Sequence, residues 1–137
     1  MPNNIAIEDF IKMAETHAHT VSVNSKLLQD YISACKPAWS TFANPIVDSN
    51  YRGMVLIATE TYGRALFLLS DGKLMEVWRI KQDAPWQYNE TTAAEVASQG
   101  YAVMCVEALC ANLAGKLKVA QDQNAALRAI KLPRSAA

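Results

Sequence analysis

Glycine and proline are scarce in this chain, with five of each among 137 residues. Together with an apolar share of 51%, that scarcity excludes collagen-like repeats, low-complexity linkers and an intrinsically disordered tract. The glycines (Gly53, Gly63, Gly72, Gly100 and Gly115) are scattered. No Walker loop, G-x-G-x-x-G turn or G-x-S-x-G nucleophile elbow can be assembled from them. Cysteine is limited to Cys35, Cys105 and Cys110, an odd number and too few for a disulfide scaffold. All three sit in apolar stretches, where a thiol behaves as a small hydrophobe, and nothing flanking them would activate one. Free thiols imply a reducing compartment, so a cytoplasmic location is expected. Histidine occurs twice, as His17 and His19. On a helix that spacing turns the two rings about 200° apart, whereas helical metal pairs use a four-residue step. Cys105 and Cys110 lack a second ligand pair. Neither a metal nor a cofactor is expected, and nothing marks the chain as an enzyme.

An excess of charge is also missing. Thirteen Lys and Arg balance thirteen Asp and Glu, which argues against a dedicated nucleic-acid binder. The longest uncharged stretches, 37–47 and 96–106, are well short of the roughly 20 residues that span a bilayer. Met1-Pro2-Asn3-Asn4 carries no basic stretch leading into an apolar run, so no secretory leader is expected. Pro2 and the final Arg134-Ser135-Ala136-Ala137 fit no lipidation signal.

What is present suits one α+β domain over residues 1–137, since single domains cluster around 100–150 residues. Ile7, Phe10, Ile11 and Ala14 recur at helical steps, with Glu8, Asp9, Lys12 and Glu15 on the other side. They predict a helix over 5–18. Thr20-Val21-Ser22-Val23 is β-branched and breaks that pattern. A second helix is predicted over 25–42, opened by Asn24 or Ser25, with Leu27, Leu28, Tyr31, Ile32 and Cys35 as its stripe and Pro37 disturbing it. A polar connector, 44–53, leads to three apolar runs at 54–60, 64–70 and 73–80, separated by Thr61-Tyr62-Gly63 and Asp71-Gly72. Asp-Gly between apolar runs signals a type I′ hairpin, so the runs predict a three-stranded antiparallel meander. In the middle run Leu66 and Leu68 face one way, and Ala65, Phe67 and Leu69 the other. A half-solvated strand alternates apolar with polar, so this one is expected to be covered on both faces, by helices or a second subunit. Residues 81–90 read as a loop, and 92–131 as a long C-terminal helical segment. Thr92-Ala93-Ala94-Glu95 is its capping box and Gly100 its weak point.

Within that segment Val103, Val106, Cys110, Leu113, Leu117, Ala120, Asn124, Leu127 and Lys131 follow alternating steps of three and four. This heptad stripe keeps one seam against a partner. An asparagine at an a position, here Asn124, fixes register and oligomer state. Charge is uneven as well: basic and acidic residues number 3 and 5 in 1–50, 5 and 6 in 51–100, and 5 and 2 in 101–137. Opposed signs at the two ends favour self-contact. The expectation is a non-enzymatic protein-binding module (adaptor, chaperone-like or inhibitor) working as a homodimer through its sheet and C-terminal helix. Val106, Leu113, Leu117, Asn124 and Leu127, with Trp86 and Tyr88 of the 81–90 loop, are its interface candidates. A rival reading places a ligand pocket between sheet and helices, drawing on Glu76, Trp78 and Tyr31, with His17, His19 and Glu60. Glu76 discriminates: buried in a cavity it favours the pocket, beside Arg64 or Arg79 on a solvated face it favours the interaction module. A third reading is weak nucleic-acid binding through the basic C-terminal end.

Overall fold

A computed structural model describes residues 5–47, 50–58 and 64–131. The chain is an α+β protein built on an antiparallel sheet with a long C-terminal helix. The sheet has five strands in chain order: β1 (Asn44–Pro45), β2 (Arg52–Ala58), β3 (Ala65–Leu69), β4 (Leu74–Trp78) and β5 (Gln87–Thr91). Among the described residues three α-helices, α1 (Ile7–Ala34), α2 (Ala93–Ser98) and α3 (Ala102–Ala129), accompany the sheet.

The two helices expected at 5–18 and 25–42 are one. α1 runs unbroken through Thr20-Val21-Ser22-Val23 and stops at Ala34, so Asn24 and Ser25 cap nothing. β-branched residues weaken a helix only by tenths of a kcal/mol, and Thr20 Oγ1 donates to Thr16 O at 2.7 Å within the turn. Extending a helix already nucleated at its packed end, Leu28 and Ile32, costs less than ending it and starting another. Ile7, Ile11, Ala14, Ala18, Val21, Ser25, Leu28, Ile32 and Cys35 step by four and three along the whole helix, the period that keeps one face aligned. Leu28, Ile32 and Cys35 on this seam are buried. Beyond Cys35 the chain tightens into a 3-10 helix, Lys36–Thr41, with Pro37 in its first turn.

The strands number five because both edges were hidden in polar stretches. β1 pairs Asn44 with Gly53 and Pro45 with Arg52. β5 lies in the expected 81–90 loop and pairs Val77 with Tyr88 and Glu76 with Asn89. An exposed edge strand needs no apolar alternation, since charged and polar residues are how proteins blunt such edges. The Asp71-Gly72 hairpin forms, but not as a type I′ turn. Gly72 N–H donates to Leu69 O and Leu69 N–H to Lys73 O; only Gly72 of the pair has positive φ, at 88°. This is a three-residue loop closed by a left-handed glycine. The expected turn at Thr61-Tyr62-Gly63 lies outside the described residues.

Register decides the core. β3 pairs Leu66 with Glu76 and Leu68 with Leu74, and β2 pairs Met54 with Leu68. These residues face the helices, where Leu28, Ile32, Phe42, Val96, Cys105 and Leu109 join them. α1 packs chiefly on α2, and α3 on β2. The opposite face carries Phe67, Leu69, Met75 and Val77, closed by Ile46, Trp86 and Tyr88. β3 is therefore covered on both faces by its own chain, by helices on one and connecting segments on the other. That cover is incomplete: Val55, on the outer face beside Phe67, is exposed.

Thr92 caps α2 by accepting from Glu95 N–H at 3.2 Å, while the Glu95 carboxylate accepts from Thr91 Oγ1 at 2.8 Å. Half of the predicted capping box is thus present. The helical segment divides at Gly100, whose φ is 83°. Tyr101 N–H donates to Val96 O and Gly100 N–H to Ala97 O, the paired bonds of a Schellman motif, which ends a helix where glycine adopts the left-handed conformation. α3 then docks through Cys105 and Leu109, which are buried, with Ala102, Val106, Ala108 and Leu113 half-buried beside them.

Candidate functional site

Both long helices outrun the core. Every residue of 5–20 on α1 and every residue of 114–131 on α3 is exposed. These two arms are not polar. Ile7, Phe10, Ile11 and Met13 stand out on the first, and Leu117, Val119, Leu127 and Ile130 on the second. On α1 the uncovered residues Ile7, Ile11, Ala14 and Ala18 extend the same seam that buries Leu28, Ile32 and Cys35. An amphipathic helix owes most of its stability to packing of its apolar face, and here half of that face has nothing to pack on. The accessible surface, 10188 Å², agrees. A compact protein of this mass exposes about 7,100 Å², so the excess is about 3,000 Å². The two uncovered arms contribute to it.

The predicted interface residues separate into three groups. Leu117, Asn124 and Leu127 lie on the uncovered arm of α3, where Asn124 Oδ1 accepts from Arg128 Nε at 3.0 Å. Val106 and Leu113 are half-buried against the chain's own core, while Val103 and Cys110 of the same stripe are exposed. The row that docks on β2 runs through Cys105 and Leu109, one position away from Cys110, so the stripe straddles the boundary of the core. Trp86 and Tyr88 close the sheet's outer face. Tyr88 meets the Tyr51 ring with centroids 5.8 Å apart, and the Arg79 guanidinium lies 4.2 Å from the Trp86 ring centroid. That stacking is a cation–π contact.

Two of the three main pocket candidates also come together. A cleft of about 680 Å³ opens between the sheet end and the start of α3, lined by Arg64, Glu76, Trp78, Arg79, Tyr101 and Met104 among others. Glu76 accepts from Arg64 Nη2 at 2.7 Å, with 21% of its side chain exposed. Arg79 Nε is buried there without a hydrogen-bond partner. Tyr31 is elsewhere, exposed on α1. His17 and His19 are exposed on α1 two residues apart, and Glu60 lies outside the described residues. Among the described residues, no three His, Cys, Asp or Glu side chains gather as a metal site. Nor is any helix long and apolar enough to cross a membrane.

Compared with protein-family models, curated proteins and solved structures, the chain matches none. Its site is therefore read from its own chemistry. Sequence reasoning missed the α1 arm as an exposed surface, although the seven-residue period running through Thr20-Val21-Ser22-Val23 carried the signal. It also missed Tyr101 and Met104 as cleft residues, which only the Schellman turn at Gly100 brings to the sheet.

Proposed function

We propose that this chain is a non-enzymatic protein-binding module that works as a homodimer, presenting a preformed surface to another protein as an adaptor, chaperone-like protein or inhibitor does. The observation that carries the reading is the pair of uncovered apolar arms on α1 and α3. Exposed apolar surface rimmed by charge marks interaction sites, and an arm of this length is marginal as an isolated helix in water. The α3 arm and the partly covered outer face of the sheet, at Val55, supply the self-contact in this reading. Cys35, Cys105 and Cys110 are free thiols, which supports placing the module in the cytoplasm. Light scattering at micromolar concentration tests it: a dimer is expected, shifted toward monomer by Leu117→Asp. A strict monomer overturns the homodimer, and a dimer indifferent to Leu117→Asp removes α3 from the contact.

The cleft supports a second reading, a small-molecule site. Its aromatic walls, Trp78 and Tyr101, suit a flat ring, and Arg79 Nε, buried without a hydrogen-bond partner, suits an acceptor oxygen attached to that ring. Titrating aromatic carboxylates while following the Trp78 indole N–H by NMR tests this. Saturable shifts there support a pocket, and an indole signal unmoved at millimolar ligand overturns it.

A further inference from the structure

The two uncovered arms differ in charge. The α1 arm carries Glu8, Asp9 and Glu15 against Lys12, whereas the α3 arm carries Lys116, Lys118, Arg128 and Lys131 against Asp122. We infer that the α1 arm of one copy lies along the α3 arm of a second copy, reciprocally, so that two identical α1–α3 contacts join the sheet in holding the dimer. This deepens the homodimer reading and rests on it.

The arms do not cover one another within a single chain, since every residue of both is exposed. Their cover must come from outside. Pairing two α1 arms brings acid to acid, and pairing two α3 arms brings base to base, both disfavoured by like-charge repulsion. Only the mixed pairing joins opposite signs. Helix dipoles account for Glu8 and Asp9 in the first turn of α1 and for Arg128 in the last turn of α3. They do not account for Glu15, beyond the first turn, because the effect fades within one turn of each end; at mid-helix Lys116 donates to Thr41 O at 3.1 Å and Lys118 pairs with Asp122 at 3.0 Å within the chain.

Size and shape agree with charge. The arms span residues 5–20 and 114–131, and at 1.5 Å per residue each is about 25 Å long. Ile7 and Ile11 supply apolar bulk to cover the exposed Leu117 and Leu127. A reciprocal contact of this kind closes with two-fold symmetry and leaves no open end for further growth.

Charge reversal on the full chain tests the pairing. The α1 variant E8K/E15K and the α3 variant K118E/R128E should each dimerise at least tenfold more weakly than the unmodified protein in sedimentation. Mixed in equal amounts they should recover, because each reversed arm then meets its opposite on the other copy. A zero-length carbodiimide cross-link in an isotopically mixed dimer of the unmodified protein gives an independent readout, whatever the folding of the variants. Glu15 or Glu8 of one copy should join Lys116 or Lys118 of the other. A dimer whose intermolecular links join only α3 to α3, or whose affinity ignores both variants, overturns the pairing while leaving the homodimer standing. A strict monomer overturns both.

Discussion

Gly72 at the tip of the β3–β4 hairpin lies flat against the indole of Trp39, so close that a methyl group would overlap Cη2, Cζ3 and Cζ2 of the ring. The indole is held in turn, because its Nε1 donates to Ile32 O at 3.0 Å. One residue therefore satisfies two demands, a left-handed turn and a packing contact that fastens the hairpin to the end of α1. Gly72→Ala adds left-handed strain of about 1–2 kcal/mol to an overpacking cost of about 1–3 kcal/mol. Urea denaturation should show a loss of at least about 2 kcal/mol. A loss no larger than the left-handed strain alone, about 1 kcal/mol, would mean that Trp39 swings aside.

Gly100 provides the contrast. It has the same sign of φ, but nothing lies within 4 Å of where its Cβ would be. Gly100→Ala should therefore cost only the backbone strain, about 1–2 kcal/mol. A cost equal to or above that of Gly72→Ala would show that the strain, and not the indole, dominates at both sites.

Burial pushes the Cys105 thiol from 9.0 up to about 11. Between those values the folded protein keeps a proton that the unfolded chain loses, so rising pH favours unfolding by up to about 1.4 kcal/mol per unit. Below pH 9 the contribution is flat. Cys105→Ala should remove this slope from a plot of stability against pH between 9 and 11. With iodoacetamide at pH 8, exposed Cys110 should react first, while buried Cys35 and Cys105 wait for unfolding.

Leu68 and Leu117 have the same side chain in opposite settings, 0% and 58% exposed. Leu68→Ala opens a cavity in the core and should cost about 2–5 kcal/mol. Leu117→Ala should cost under about 0.5 kcal/mol at high dilution and more as protein concentration rises. Thermal melts at two concentrations decide this, and a concentration-independent Leu117→Ala would place that residue outside any self-contact.

The Arg64–Glu76 pair is short, but Arg64 is over half exposed. Its removal should be mild. Arg64→Ala should lower stability by no more than about 1 kcal/mol, and a loss above about 2 kcal/mol would show that Glu76 is left effectively buried.

Local order was legible in the residues themselves. The central strands, the hairpin at Asp71-Gly72, the cap at Thr92 and the helical character on both sides of Gly100 all follow from side-chain periodicity and turn chemistry. So does the double apolar face of β3. Each depends on residues within a few positions of one another. Glu76 and Trp78 likewise follow from sharing one strand face, and they meet in the cleft, whereas Tyr31 does not because its own helix turns it outward.

A long C-terminal helix beside an antiparallel sheet follows from the apolar spacing of the chain, which carries periods of 3.6 and 2. Tertiary structure alone decided three things. The β-branched run at 20–23 stays helical because a helix anchored by the packing of Leu28 and Ile32 propagates across it, and the polar stretches at 44–45 and 87–91 become edge strands because a neighbour offers free hydrogen-bonding groups. The third is where the core ends: Leu28 is buried and Ile7 bare on one unbroken face, because burial depends on what the sheet can reach and not on the residue being buried.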